Sequence, residues 1–108
     1  MKIPPDAIIQ DQKLTKYLLV FKQRNDKSQY LDQAGFRLEN WEQLKIAIQT
    51  IIQENEAIED VIDEYGTYYQ VIGELKGINN RKLPVITVWQ KRKIDNKFYF
   101  ITLKPYRG

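Results

Sequence analysis

The stretch “VITVWQKRKIDNKFYFITLKP”, residues 85–105, decides the fold because apolar and polar residues alternate on both sides of one turn. Alternation with a period of two is typical of strands that present two different faces. Asp95 and Asn96 interrupt the alternation, and both residue types favour tight hairpin turns. The stretch also carries five positive charges and one negative charge. It is therefore predicted to form a basic β-hairpin.

The residues before this hairpin extend the prediction to a sheet of three to four antiparallel strands. The segment “TYYQVIGEL” (67–75) also alternates, and the turn-forming “KGINNRK” (76–82) joins it to the hairpin. The segment “AIEDVIDEY” (57–65) is a candidate first strand, with continuation of an upstream helix as the alternative. Tyr65 and Gly66 are predicted to form the turn that follows.

Two to three helices are predicted before the sheet. Asn40 opens the clearest helix, with Gln43 at the spacing of a capping box, and the helix is expected to end near Asn55. Its apolar residues recur every three or four positions and should face the core. They are Trp41, Leu44, Ala47, Ile48, Ile51 and Ile52.

Two shorter helices are predicted upstream, each opened by an aspartate that can cap it. The first begins at Asp11, and the second begins at Asp26 and stops at Gly35. The predicted inward residues are Leu14, Tyr17, Leu18 and Phe21 in the first helix, and Tyr30, Leu31 and Ala34 in the second. Together these patterns predict one α+β domain over residues 1–108, with two to three N-terminal helices packed on one face of the sheet.

The composition excludes several classes of chemistry. The chain has no cysteine, which removes disulfides, thiolate nucleophiles and cysteine metal sites. It also has no histidine, the commonest general base and metal ligand. The sequence predicts neither a cofactor nor a metal site. The segment “MKIPPDAIIQDQK” (1–13) has no long apolar run, so a cytoplasmic location away from membranes is expected.

Charge is segregated along the chain. Residues 39–64 contain eight acids and one base, whereas residues 76–108 contain nine bases and one acid. Such an arrangement places a positive field on one part of a fold and a negative field on another. The basic part is a candidate surface for an anionic partner, although charged residues also cover solvated faces that have no partner.

The register of the sheet follows if both turns, at 79–80 and at 95–96, have even length. Trp89 then pairs with Thr102, and Glu74 pairs with Val85. One face is aliphatic and should receive the helices: Val71, Leu75, Ile86, Val88, Ile101 and Leu103. The other face mixes rings, hydroxyls and charged groups: Tyr68, Gln70, Glu74, Thr87, Trp89, Lys91, Phe100, Thr102 and Lys104.

The mixed face suits RNA because cations contact phosphates and aromatic rings stack on bases. The alternative is a solvent-facing sheet whose rings only stabilise neighbouring strands. For cleavage of RNA without histidine, Glu74 is the candidate base, Tyr68 or a lysine the candidate acid, and Lys91 the candidate stabiliser of the charged phosphate. Lys104 and Arg92 are alternative stabilisers.

Four groups of residues together resemble a family of small bacterial domains of unknown function, over about Pro5 to Pro105. They are “KLTKYLL” (13–19), “NDKSQYLDQAGF” (25–36), “EYGTYYQVIGELKGIN” (64–79), and “VITVWQKR” (85–92) with “FITLKP” (100–105). That family is similar to the toxin ribonucleases that include barnase, the EndoU and colicin nucleases and RelE. The absence of histidine matches the RelE style better than the barnase or EndoU style.

The resemblance implies N-terminal helices, a four-stranded antiparallel sheet with the active site on its open face, and a small partner protein as in a toxin–antitoxin pair. The positions that match the family pattern are Lys16, Lys27, Tyr65, Gly66, Thr87, Trp89 and Thr102. The predicted catalytic residues are Lys91, Glu74, Thr87, Thr102 and Tyr68, and the predicted nucleic-acid-binding residues are Trp89, Lys104, Lys16, Lys27 and Gln70.

Three functions are compatible with these residues. The first is a toxin-like endoribonuclease that acts through the mixed face. The second is a non-catalytic interaction module, or one half of a two-protein complex. The third is an RNA or DNA binder that does not cleave. Oligomeric state and substrate sequence leave no signature in the chain.

Overall fold

The computed structural model of the protein describes residues 1–23 and 27–107. Short helical segments precede a four-stranded antiparallel sheet of order β1-β2-β3-β4, which confirms the predicted α+β class. No helix among the described residues is long and apolar enough to cross a membrane. The elements are α1 (Asp11–Lys13), a π-helix (Leu14–Leu18), α2 (Ser28–Asp32), a 3-10 turn (Leu38–Asn40), α3 (Trp41–Glu54), β1 (Ile58–Asp63), β2 (Gly66–Lys76), β3 (Lys82–Arg92) and β4 (Phe98–Pro105).

Helix α3 lies against strand β2 and ends where the sequence predicts, with Asn55 as its C-cap. The predicted apolar stripe is confirmed: Trp41 is half-buried, and Leu44, Ala47, Ile48, Ile51 and Ile52 are buried. The predicted capping box is wrong. The Asn40 side chain instead accepts the Arg37 backbone N–H at 2.8 Å and donates to the Gly35 carbonyl at 3.0 Å.

The first helical segment differs from the prediction because most of it winds as a π-helix. The Leu19 N–H donates to the Leu14 carbonyl at 3.0 Å, five residues earlier, as in a π-turn. Leu14 and Leu18 are buried as predicted, but Tyr17 is 57% exposed and Phe21 is 65% exposed. The wider turn places residues four to five apart on one face, so Tyr17 does not join Leu14 and Leu18 in the core. Phe21 lies beyond the end of the π-helix.

The second helix agrees with its prediction at the residues that the structure describes. Leu31 and Ala34 are buried, and Tyr30 is half-buried. Gly35 has a φ of +87°, the left-handed conformation that ends a helix. The predicted cap, Asp26, lies outside the described residues.

Both long hairpins turn differently from the prediction. The β2–β3 connection closes with the Gly77 N–H donating to Arg81, which leaves the odd-length loop 78–80 with Asn80 at a φ of +68°. The β3–β4 connection is the longer loop 93–96, closed by a bond from the Arg92 N–H to the Lys97 carbonyl. The odd loop moves β2 by one residue against β3, so that Gly73 rather than Glu74 pairs with Val85.

Strand β4 contains a β-bulge at Ile101. Trp89 pairs with Phe100, and the preceding Val88 pairs with Thr102, so Ile101 is the extra residue. Because side chains alternate along a strand, the bulge reverses the faces of the second half of β4. Leu103 therefore points inward and Thr102 points outward.

These two shifts exchange the predicted faces of β3 and of the first half of β4, whereas Val71, Leu75 and Leu103 are buried as predicted. Thr87 and Trp89 are fully buried, Phe100 is 1% exposed, and Lys91 lies on the same side as these three. The core face of the sheet, which packs under the helices, comprises Tyr69, Val71, Leu75, Leu83, Val85, Thr87, Trp89, Phe100 and Leu103. The outer face comprises Tyr68, Gln70, Ile72, Glu74, Ile86, Val88, Gln90, Tyr99, Thr102 and Lys104. Ile86, Val88 and Ile101, predicted for the core, are only half-buried.

The turn before β2 is one residue earlier than predicted, at Glu64 and Tyr65, and Gly66 opens the strand. Gly66 has a φ of +157°, and an added Cβ would lie 2.1 Å from the Lys91 carbonyl oxygen. Glycine is therefore required here by the close approach of β3.

Thr87 and Trp89 form a buried polar chain in the core face. The Trp89 indole Nε1–H donates to the Thr87 Oγ1 at 2.9 Å, and that hydroxyl donates to the Val71 carbonyl at 2.8 Å. Buried polar groups cost free energy unless they are hydrogen-bonded. The Thr87 hydroxyl has both a donor and an acceptor as partners, and it provides the acceptor that the Trp89 indole needs. The Phe100 ring packs edge-on to Trp89 at 5.3 Å between centroids. These residues hold the core together and offer no open surface.

We expect Thr87→Val to lower the free energy of unfolding by about 1–3 kcal/mol, because it leaves the Trp89 indole N–H buried without an acceptor. The urea midpoint measures this loss, with an unchanged slope showing that the folded state is otherwise intact. Thr102→Val is the matched control and should cost less, since Thr102 is only half-buried. Equal losses at the two threonines would contradict the assignment of Thr87 to the core.

Candidate anion-binding site

A basic cavity lies between the π-helix and the second half of β4. It encloses about 300 Å³. The lining residues are Lys13, Tyr17, Leu18, Lys22, Lys27, Ile101 and Thr102. None of these lining residues is acidic, so the cavity combines three ammonium groups with one hydroxyl, one phenol and an aliphatic floor.

Lys27 is fixed in this cavity by a hydrogen bond across the fold. Its Nζ donates to the Thr102 Oγ1 at 2.9 Å, joining residues 75 positions apart in the chain. The bulge at Ile101 makes this contact possible because it turns Thr102 away from the core. A long side chain that would otherwise sample many rotamers is thereby held in one position.

The environment of Lys27 disfavours its charged form. Partial burial lowers the pKa of its ammonium below the ordinary value of 10.5, and the positive charges of Lys104 and Lys22 lower it further. Like charges that crowd one group raise its free energy unless an anion neutralises them. No carboxylate lines the cavity among the residues that the structure describes, so the cavity is a candidate site for a phosphate or a carboxylate.

Tyr17 and Lys22 form the rim of the cavity. The Lys22 Nζ lies 4.5 Å from the centroid of the Tyr17 ring, a cation–π contact. Tyr17 is 57% exposed, so its ring and hydroxyl are open to a ligand that enters the cavity. An exposed ring beside cations is a combination that suits a nucleotide.

The predicted site residues are divided between several places. Lys27 and Thr102 meet in the cavity, with Lys104 near enough to lower the pKa of Lys27. Lys16 is exposed on the π-helix but does not line the cavity. Thr87 and Trp89 are buried in the core face, so their predicted placement on an open face is wrong.

Two further catalytic candidates lie away from the cavity. Glu74 pairs with Pro84 on the outer face, two strands and two rows from Thr102, a separation on the order of 16 Å at ordinary strand spacing. Lys91 lies on the core side, where its Nζ is 5.8 Å from the centroid of the Phe98 ring. Neither side chain can contact a group bound at Lys27.

Tyr68 and Gln70 are on the outer face as predicted. Gln70 shares a row with Val88 and Thr102, and its Nε2 donates to Asp60 at 3.2 Å. Tyr68 accepts a hydrogen bond from the Gln90 Nε2 at 3.0 Å, and its pKa is raised mainly by burial and by Asp63. A raised pKa keeps the Tyr68 hydroxyl protonated, so it can donate to Asp63 while it accepts from Gln90.

Three cavity residues were not predicted from the sequence: Lys13, Tyr17 and Lys22. The spacing of Tyr17 fits the apolar stripe of an α-helix and therefore predicts a core position. The π-helix that exposes Tyr17 has no clear sequence signature. The signal that could have found the lysines is their density around the first helix.

Among residues 1–23 and 27–107, no group of carboxylates is placed to hold a metal ion.

Comparison with known proteins gives a family and a structural neighbour. The family model described as “Domain of unknown function (DUF6883)” matches residues 4–107. No curated protein matches the chain. A chain of the “Contact-dependent growth inhibition toxin - immunity protein complex from Klebsiella pneumoniae 342” superposes with a TM-score of 0.69 at 14% identity, covering 95% of this chain and 96% of that one. At this identity the likeness shows the fold alone.

We expect an NMR titration of the Lys27 side chain to give a pKa below 10.5. Lys104→Ala should raise that pKa but leave it below the ordinary value, because burial is the larger cause. Lys82→Ala, which removes an exposed lysine at the far end of β3, is the matched control and should change nothing.

The same shift has a defined effect on stability. Between the lowered pKa and 10.5 the unfolded chain binds more protons at this site than the folded chain, so folding should become more favourable as pH rises through that window. A Lys27 that titrates at or above 10.5 would contradict the description of the cavity.

Proposed function

We propose that this chain, which belongs to the DUF6883 family of domains of unknown function, is a toxin-like endoribonuclease that binds a phosphodiester of RNA in the Lys27 cavity. The observation that carries the proposal is the Lys27–Thr102 pair, a partly buried lysine of lowered pKa held in a basic cavity. Lysines with perturbed pKa values in clefts are characteristic of functional sites.

A phosphodiester fits the chemistry of the cavity better than a carboxylate does. Its two non-bridging oxygens can accept hydrogen bonds from more than one ammonium group, and Lys13 and Lys22 line the cavity beside Lys27. The attached nucleoside can rest against the exposed Tyr17 ring. These contacts bind RNA through its backbone.

Cleavage in this site proceeds by transfer within the RNA. The 2′-hydroxyl gives its proton to the neutral Lys27 amine, and the 2′-oxygen forms a bond to phosphorus. The bond from phosphorus to the 5′-oxygen breaks, and that oxygen takes a proton from the Lys22 ammonium. The products are a 2′,3′-cyclic phosphate and a 5′-hydroxyl, and the cations stabilise the charge that builds on the phosphate. Thr102 acts as a positioning residue for Lys27.

The fold supports the toxin-like part of the proposal. The structural neighbour is described as part of a toxin–immunity protein complex, and its fold covers nearly all of this chain. In the toxin ribonucleases that the sequence resembles, the active site lies on the open face of the sheet. Thr102 and Lys104 belong to the outer face of the sheet in this chain. The likeness adds no catalytic residue, so the assignment of Lys27 depends on the cavity alone.

We expect purified protein to cleave RNA in the presence of EDTA and to leave 2′,3′-cyclic phosphate ends. Lys27→Ala should slow cleavage by about 10²–10⁴-fold, the usual contribution of a proton-transfer group. Lys27→Arg should keep RNA binding but lose cleavage, because arginine does not become neutral. The rate should rise with pH toward the lowered pKa of Lys27.

Lys82→Ala is the control variant, since it removes one exposed charge far from the cavity. Its cleavage rate should equal that of the unaltered protein. Intact RNA with the unaltered protein would overturn the enzymatic proposal, and salt-sensitive binding in the same samples would then indicate a binder that does not cleave. Full activity of Lys27→Ala would reject the assigned site.

A second proposal concerns a protein partner, which the toxin–immunity neighbour and the exposed edge strand β1 both favour. All six residues of β1 are exposed, including Ile58 at 60%, Val61 at 55% and Ile62 at 64%. A free edge with apolar side chains is a surface on which another strand can pair. Because residues 58–64 carry four acids and no base, the strand that pairs here is basic.

We expect Ile62→Arg to weaken a complex with the product of the adjacent gene by tenfold or more, measured by calorimetry after co-purification. The substitution removes apolar area and adds a charge that repels a basic strand. Ile46→Arg is the matched control, because Ile46 is 55% exposed on α3 and away from β1. Equal affinities of the two variants would contradict docking at β1.

A further inference from the structure

A second cavity lies at the end of the sheet where the β3–β4 hairpin turns. It encloses about 470 Å³. The lining residues are Glu64, Tyr65, Gln90, Arg92, Lys93 and Ile94. Tyr65 is 66% exposed and Ile94 is 90% exposed, so apolar surface flanks a polar floor. The Lys27 cavity and strand β1 share no residue with it, although Glu64 directly follows that strand.

Gln90 forms the polar floor, and its side chain is held in one orientation. The residue is 7% exposed, its Nε2 donates to the Tyr68 hydroxyl at 3.0 Å, and its Oε1 accepts from the Arg92 Nε at 3.4 Å. An amide has two N–H donors and two acceptor lone pairs. One donor and one lone pair of the Gln90 amide have no partner among the described residues, and a glutamine can use such a pair to read the edge of a base.

Arg92 and the exposed rings provide surfaces for stacking. The Arg92 guanidinium lies 3.7 Å from the centroid of the Tyr99 ring, and the Tyr99 hydroxyl donates to Asp95 at 2.6 Å. This contact holds one face of the guanidinium against Tyr99, and an arginine can stack on a base through its other face. Tyr65 presents an exposed ring in the same cavity. Arginine planes and aromatic rings are the usual supports for unstacked RNA bases.

The two cavities lie at a distance that one RNA strand can span. Gln90 is two residues from Val88, and Val88 pairs with Thr102 beside Lys27. Ordinary strand dimensions then put the Cα atoms of Gln90 and Thr102 on the order of 8 Å apart. Two or three stacked nucleotides, at about 3.4 Å each, cover that distance.

We propose that the hairpin cavity binds an unstacked base of single-stranded RNA, with the Gln90 amide reading its edge and Arg92 and Tyr65 supporting its faces. The proposal rests on the proposed function, because it supplies base recognition to a strand whose phosphate lies in the Lys27 cavity. Lys93 adds a cation for the phosphate of the bound nucleotide. The site would give cleavage a preference for particular bases near the broken bond.

The test is an NMR titration of the full chain with the four uncharged ribonucleosides and, separately, with inorganic phosphate. At least one nucleoside should shift the Gln90 side-chain amide and the Tyr65 signals, whereas phosphate should shift Lys27 and Thr102. Gln90→Met, which keeps size but loses both hydrogen bonds, should weaken nucleoside binding roughly tenfold or more. Tyr65→Ala should weaken nucleoside binding as well. Because Tyr65 is exposed, this substitution removes no core packing and should leave the fold intact.

The outcomes separate the two proposals. If no nucleoside shifts Gln90 or Tyr65 while RNA is still cleaved, the base site is overturned and the function stands. If a nucleoside binds at Gln90 but phosphate does not shift Lys27 and RNA stays intact, the base site stands and the endoribonuclease is overturned. Lys27→Ala should leave nucleoside binding unchanged, and a loss of binding in that variant would contradict two distinct cavities.

Discussion

The β-bulge at Ile101 is the constraint on which the candidate site depends. Without the extra residue, β4 would continue its alternation from Phe100 and direct Thr102 into the core. With it, Leu103 packs in the core and Thr102 points outward, where its Oγ1 accepts a hydrogen bond from the Lys27 Nζ at 2.9 Å. Bulges that re-aim a side chain are common beside functional sites. One inserted residue thus fixes both the packing of the sheet and the position of Thr102 beside Lys27.

The polar groups on the two faces of the sheet differ in whether they have partners within the chain. On the core face, the Thr87 hydroxyl is fully occupied by Trp89 and Val71, so it stabilises the fold and is closed to ligands. On the outer face and its edge, lysines of like charge are held near one another without a carboxylate among the lining residues of the cavity. The first arrangement is satisfied within the chain, whereas the second is the one that a bound anion would neutralise under our proposal.

The order and type of the elements could be predicted from the sequence, because long periodic segments such as α3 and β3 carry their pattern in every residue. The faces of β3 and of the first half of β4 could not, because they depend on two single-residue features: the odd loop ending at Asn80 and the bulge at Ile101. Lys27, Thr102 and Lys104 were predicted individually, but their meeting depends on a contact across 75 positions. Tyr17 was missed because a π-turn changes the helical period.

The most direct test of the candidate site is the structure of the domain bound to a short RNA whose 2′-hydroxyls are blocked against cleavage. We expect a phosphate oxygen about 2.7–2.9 Å from the Lys27 Nζ, with Thr102 still beside that lysine and Trp89 untouched in the core. RNA bound at another surface, with no phosphate in the Lys27 cavity, would contradict it.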